Sequence, residues 1–184
     1  MNIIYVLEYA NKSIEISKKI NNNSILANTY LNIGVYYIHK SNFKESLDAL
    51  FTAEKLFDSL RDHPGMRITK QLEVERVAKV KANIGSCYQY LQQDELAKNY
   101  FSEALHIAKN SGELYSQLVA FRGLGFIYQK EGKLKESKEQ ILLAYSTSVK
   151  LGLKHYISST LLDLGNLYRE IGDIVEAKKN MKMP

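Results

Sequence analysis

The sequence predicts an all-α solenoid of antiparallel helix pairs, and three observations carry that prediction. A short motif recurs four times, as LNIGVYY at 31–37, ANIGSCY at 82–88, RGLGFIY at 122–128 and LDLGNLY at 162–168. Each copy holds a branched aliphatic residue, then glycine, then tyrosine three residues after the glycine. The spacing is regular: Gly85 to Gly125 and Gly125 to Gly165 are both 40 residues, while Gly34 to Gly85 is 51. Self-similarity at a period of this size is what stacked repeats leave in a chain. Finally, apolar residues recur at three- and four-residue spacing throughout, and no segment alternates with period two over a useful length.

The first helix is predicted over 3–20, where Ile3, Val6, Leu7, Ala10, Ile14 and Ser17 share one face. Asn21-Asn22-Asn23-Ser24 ends it. Short polar side chains compete for backbone hydrogen bonds and tolerate left-handed conformations, which suits a turn followed by an N-cap. A helix from about Ile25 to His39 then carries the first motif copy, and Ser41-Asn42 breaks the chain. The helix from about Phe43 to Leu60 turns Leu47, Leu50, Ala53, Leu56 and Phe57 inward. Arg61-Asp62-His63-Pro64-Gly65 is the strongest punctuation, because proline removes a helix donor and glycine permits positive φ. A loop there takes up the extra residues of the first glycine interval.

Beyond it, Leu72, Val77, Val80, Ile84, Tyr88 and Leu91 form a stripe long enough for a helix a few turns longer than its counterparts. Gln92-Gln93-Asp94 turns the chain, and Ala97, Phe101, Ala104, Leu105 and Ala108 make the next inner face, closed by Gly112. Helices 114–130, 134–150 and 154–170 end at Gly132, Gly152 and Gly172, and a last segment opens at Asp173. Glycine just past a periodic segment supplies the left-handed residue that helix ends commonly use. The organisation expected is one solenoid over 1–184. It comprises a half repeat at 1–23, then repeats at about 24–63, 68–112, 114–152 and 154–184, the last incomplete.

Glycine inside a helix costs about 1 kcal/mol relative to alanine, so four at one structural position need a compensating contact. Packing supplies one. A missing side chain on the first helix of a pair lets the second approach the lower limit of about 8 Å between axes, while the following tyrosine fills the wider gap beside the crossing. A second register agrees: Ser13, Ala104 and Ala144 each lie 21 residues before a motif glycine, at 34, 125 and 165.

Composition narrows the class. At 184 residues, with 45% hydrophobic and 24% charged, the chain can bury a real core. Its single cysteine, Cys87, excludes an intrachain disulfide and fits a reducing interior. The early apolar run Ile3–Leu7 is too short to span a bilayer and lacks a basic flank, so a cytoplasmic protein with no membrane partner is expected. The net charge of +5 raises nucleic acid as a partner, but lysine and arginine alternate with acidic residues along the chain. A mixed, solvated surface is the reading, with no direct nucleic-acid contact.

The chain resembles the tetratricopeptide repeat family. In the best copy the residues that carry the resemblance are Asn83-Ile84-Gly85, Tyr88, Ala97, Phe101 and Ala104-Leu105; in the first they are Asn32-Ile33-Gly34, Tyr37, Phe43, Leu50 and Ala53. The third copy offers Leu124-Gly125, Tyr128, Gly132, Ile141 and Ala144, and the fourth Leu164-Gly165, Tyr168, Gly172-Asp173 and Ala177. The resemblance implies a right-handed superhelix with a concave binding groove and a non-catalytic role. The 40-residue period is similar to the longer-helix variety in bacterial peptide-pheromone receptors, repeat-bearing sensor kinases and transcription regulators, and Pins-type adaptors. The last helix stops before its inner face is complete, which reads as a fragment of a larger signalling or regulatory protein. Two further readings are the regulatory part of a phosphatase or kinase whose catalytic domain lies elsewhere, and self-association through Ile174, Met181 and Met183 at the carboxy-terminal edge.

No catalytic, metal or cofactor site is expected. His39, His63, His106 and His155 fall at unrelated positions without a paired carboxylate set, and they read as solvated. Cys87 lies two residues past Gly85 on the inner side, where an inert buried thiol belongs. Gly123-Leu124-Gly125 follows no strand and is no dinucleotide loop, and Glu73 and Glu75 read as an exposed pair. The resemblance puts the ligand in the groove, lined by Asn32, Val35 and His39, then Lys79, Asn83, Ser86 and Tyr90. Arg122, Phe126, Gln129 and Lys130 follow, then Asp163, Asn166 and Arg169. Asparagine pairs with both backbone N–H and C=O, so such a lining would hold an extended peptide or a protein segment. The basic residues would favour acidic side chains or a free carboxylate.

Overall fold

The computed structural model describes residues 3–61 and 67–173, which form eight α-helices and, among the described residues, no strand. They are α1 (Ile3–Lys19), α2 (Asn23–His39), α3 (Phe43–Arg61), α4 (Arg67–Tyr90), α5 (Asp94–Ser111), α6 (Leu114–Lys130), α7 (Leu134–Leu151) and α8 (Lys154–Ile171). Every helix packs against its neighbours in sequence, and the motif-bearing helices α2, α4 and α6 also touch in succession. Contacts therefore run from one repeat to the next, as in a solenoid. The loop expected at 61–65 lies outside the described residues from Asp62 onward, as do Ile174, Ala177, Met181 and Met183.

Boundaries follow local chemistry. Asn21 takes a left-handed φ of 54°, and the Asn22 side chain accepts the Ile25 N–H at 3.0 Å, so α2 starts at Asn23 rather than at Ile25. Gly112, Gly132, Gly152 and Gly172 all have positive φ, the helix-ending geometry expected of them. Ser41 and Gln92, both at φ 59°, hold the same place seven residues after a motif glycine that Gly132 and Gly172 hold. Helix α4, at 24 residues against 18 for α5, has the predicted extra length. Leu72 departs from its stripe, being half exposed on the N-terminal overhang that this length creates. Val6 is exposed as well, because α1 packs chiefly on α2 and has an open outer side.

Three of the motif glycines sit at close helix crossings. A Cβ placed on Gly34 would lie 2.6 Å from the Leu50 side chain, one on Gly85 2.8 Å from the Phe101 ring, and one on Gly125 2.6 Å from Cγ1 of Ile141. Leu50, Phe101 and Ile141 each follow their glycine by 16 residues and are at most 2% exposed. Close approach also brings polar groups together: Ser46 and Ser137, each twelve residues past the glycine, donate their hydroxyls to the Gly34 and Gly125 carbonyls, both at 2.8 Å. The same register holds Ala97 after Gly85, also buried. Gly123 adds a contact the repeat does not foretell, since a side chain there would run into the far edge of the Phe101 ring.

Core residues form successive clusters, one centred on Leu50, Phe57, Val80 and Ile84, another on Phe101, Leu124 and Ile127, and a third on Ile141, Leu164 and Leu167. The motif tyrosines close the gaps between them. Tyr37, Tyr88 and Tyr128 are half-buried rather than fully core, and Tyr168 is buried. Their rings carry ammonium groups from the preceding repeat: Lys98 lies 5.1 Å from the Tyr128 centroid and Lys138 lies 4.7 Å from that of Tyr168, both 30 residues back.

Cys87 is fully buried and donates to the Ser46 hydroxyl at 3.2 Å, linking α4 to the serine that bridges α3 and α2. Burial pushes its thiol up to about 11 against the opposing hydrogen bond. A disulfide reagent at pH 8 should therefore leave the native protein unlabelled and react fully in denaturant. Rapid labelling of the folded protein would show an accessible thiolate and defeat this account.

Replacing Gly125 by leucine should overpack the α6–α7 crossing against Ile141 and destabilise the fold by about 1–3 kcal/mol. Urea unfolding followed by circular dichroism checks it. A midpoint equal to the parent's would remove the reason given for the glycine.

Candidate binding groove

Turning helices α3, α5 and α7 against the motif glycines leaves the opposite faces of α2, α4, α6 and α8 to line a shared concavity of about 610 Å³. Nine of the fourteen expected groove residues meet there: Val35 and His39 from α2; Asn83, Ser86 and Tyr90 from α4; Arg122, Phe126 and Gln129 from α6; and Asp163 from α8. Asn32, Lys79, Lys130, Asn166 and Arg169 lie outside it. The pattern of misses has a geometric cause. The concavity crosses the inner helices obliquely, touching α2 only between Val35 and His39 and α8 only between His155 and Asp163. Asn32 is then too early on α2, and Asn166 and Arg169 too late on α8, although their repeat register matches residues that do line it.

Other lining residues escaped the sequence reading. Ile38 and Gln89 occupy the register position of Gln129, four residues after the motif glycine, so the repeat itself carried that signal. Tyr115 and Tyr156 lie ten and nine residues before the glycine, within the first turn of their helices, and nothing in the motif marked them.

Polar groups in the groove fall into two sets. On α4, Asn83 spends one amide hydrogen on the Lys79 carbonyl at 2.8 Å, leaving its oxygen and second hydrogen, and Ser86 donates to the Ala82 carbonyl at 3.0 Å. Between α6 and α8, side chains consume one another. Arg122 Nε donates to Asp163 at 2.6 Å, Gln129 donates to Glu170 at 2.5 Å, and the Tyr115 and Tyr156 hydroxyls meet at 3.0 Å. Burial, and next the bond to Tyr156, raise the Tyr115 phenol above its ordinary range.

Three of the basic residues expected to favour an acidic ligand already have acidic neighbours. Arg122 is held by Asp163, Lys130 by Asp94, and Lys79 lies 3.7 Å from Glu113. Glu113 in turn caps α6, accepting the Tyr115 and Ser116 N–H groups at 3.1 and 2.7 Å. Asp163, expected to face a ligand, is the counter-ion of Arg122. Among the described residues, no three His, Cys, Asp or Glu side chains gather as a metal site would need, and no helix is long and apolar enough to cross a membrane.

Residues 78–111, running from α4 through α5, match the tetratricopeptide repeat family model. That stretch carries a tetratricopeptide repeat, and the eight described helices form an all-α repeat solenoid of the same fold. Solved structures of the same fold include BtubC (BKLC) from P. vanneervenii, at 18% identity and a TM-score of 0.67 over 86% of this chain and 61% of that one. The Rap conjugation gene regulator of plasmid pLS20, solved with the Phr* peptide, matches at 20% identity and 0.63 over 89% of this chain and 43% of that one. YrrB, described as a TPR protein with an unusual peptide-binding site, matches at 17% and 0.53 over 97% of this chain and 82% of that one. The chain thus spans 61% and 43% of the lengths of the first two.

The Arg122–Asp163 pair is partly exposed, with 37% and 29% of its side chains open to solvent. Such a pair contributes modestly. A thermal double-mutant cycle with Arg122→Ala and Asp163→Ala should return a coupling of about 0.2–1 kcal/mol. A coupling of several kcal/mol would contradict this and make the pair a principal tie between α6 and α8.

Proposed function

We propose that this solenoid is a non-catalytic scaffold that binds an extended peptide or protein segment in its groove, as the sensory or adaptor segment of a larger cytoplasmic signalling or transcription-regulatory protein of bacteria. The observation that carries the reading is the concavity itself, large enough for a chain segment and lined by unspent amide groups beside exposed aromatic rings. Tyr90 and Phe126 are 61% and 47% exposed, which leaves apolar ring surface open for a ligand to cover. Asn83 supplies the bidentate amide that extended backbone needs. Two structures of the same fold, the Rap regulator with Phr* and YrrB, carry peptide binding in their descriptions, and this supports the reading by analogy of fold.

Panning the chain against a displayed library of random heptapeptides, followed by calorimetric titration of the selected peptides, tests it. Asn83→Ala should weaken the selected peptides about tenfold through loss of the paired backbone contact, with the helical circular-dichroism spectrum unchanged. Failure to select any peptide, or selected peptides indifferent to Asn83, would reject the groove as the binding site.

A further inference from the structure

The three polar pairs that join α6 to α8 obey one rule. Tyr115–Tyr156, Arg122–Asp163 and Gln129–Glu170 are each 41 residues apart, and successive pairs step by seven residues on both helices. Seven residues is close to two helical turns, so the pairs stack along one line and close the α6–α8 wall with its own side chains. Donors and acceptors spent on one another cost desolvation to separate, which makes this wall a poor place for a ligand's polar groups.

The other half of the groove is different. Asn83 keeps an oxygen and an N–H, and the Gln89 side chain makes no hydrogen bond among the described residues. Val35, Ile38 and Val119 give it an apolar floor. Tyr90 is stacked on Phe43 at 4.8 Å and 10° between planes, so one face is fixed and the rest of the ring is open. Phe126 is steadied from outside by the Lys130 ammonium 5.9 Å from its centroid. Two pre-oriented aromatic rings beside free amides are the features that anchor a peptide through one large side chain.

Charge decides the rest. Among the described residues Arg122 is the one lysine or arginine on the lining, and Asp163 neutralises it. We infer that the ligand is an extended peptide with a bulky apolar side chain seated between α2, α4 and α6 at Tyr90 and Phe126, and that it needs no anionic group. This deepens the peptide-groove reading and rests on it.

The test uses three pools of synthetic peptides of about eight residues, acetylated and amidated to remove terminal charge. All have Ser, Thr, Asn and Gln flanks; the central pair is drawn from Phe, Tyr and Leu in one pool, Asp and Glu in the second, and Lys and Arg in the third. Fluorescence anisotropy should show the apolar pool binding at least about tenfold more tightly than either charged pool. A free carboxy terminus on the apolar pool should add nothing. Tyr90→Ala and Phe126→Ala should each weaken the apolar pool about tenfold, with unchanged helical spectra. Asp163→Asn, which releases Arg122, should raise the affinity of the acidic pool. Preference of the parent protein for the acidic or basic pool, or indifference to both aromatic variants, would overturn the inference and leave the peptide groove standing. No binding by any pool would bring down both.

Discussion

Phe101 fills a slot made by two residues that have no side chain. Gly85 on α4 opens one side and Gly123 on α6 the other, and the ring between them is wholly buried. A buried phenylalanine returns about 1.5–3 kcal/mol from its apolar surface, which offsets a cost of roughly 1 kcal/mol for each of the two helical glycines. The same exchange recurs at Gly34 with Leu50 and at Gly125 with Ile141, always sixteen residues apart. Because the contact joins the first helix of a pair to the second at a fixed register, repeating it fixes the pairing at each of these crossings. The serine hydroxyls on the Gly34 and Gly125 carbonyls can form because the helices are already this close.

That constraint also sorts the inner helices into two faces. The glycine face is largely consumed by packing, so much of what the chain offers to a partner comes from the residues between: those one, four and five places after the glycine, and two before it. Val35, Ser86 and Phe126 hold the first of these positions and Ile38, Gln89 and Gln129 the second. Packing and groove chemistry thus share one motif without competing for residues. A substitution at Ser86 or Gln89 changes the groove at little cost to the core, whereas one at Gly85 changes both.

This division explains how far the sequence could be read. Helix number, turns and glycine contacts were legible because they depend on residues within one pair, and a repeat displays that dependence several times over. Cys87 was legible for the same reason: its place two residues past the glycine on the inner side is one that a neighbouring helix covers. The groove was legible only in part. Asn32 and Asn83 have the same register, yet only Asn83 lines the concavity, because an oblique cavity depends on how successive pairs are rotated and no single repeat encodes that rotation. The ion pairing of Arg122 was hidden for a related reason. Its partner lies 41 residues away in a chain whose period is 40, so the pair joins positions one step out of register.

The one-step offset has a mechanical meaning. Side chains on the adjacent inner helices α6 and α8 meet at i and i+41 rather than i+40, and the same one-step offset appears between α2 and α4. There Arg76 reaches Ser24 at 3.4 Å across 52 residues, one more than the 51 between the glycines. Between α6 and α8 this offset is shared by three pairs, while α4 presents unspent groups to the open groove. A wall whose polar groups are already satisfied loses little freedom when a ligand arrives, and a rigid wall lowers the ordering cost of binding. The unspent amides of Asn83 and Gln89 face it across the same cavity, on a helix whose position Phe101 has already set. The α6–α8 wall thus spends its polar groups on itself, and the free hydrogen-bonding capacity of the groove lies across from it on α4.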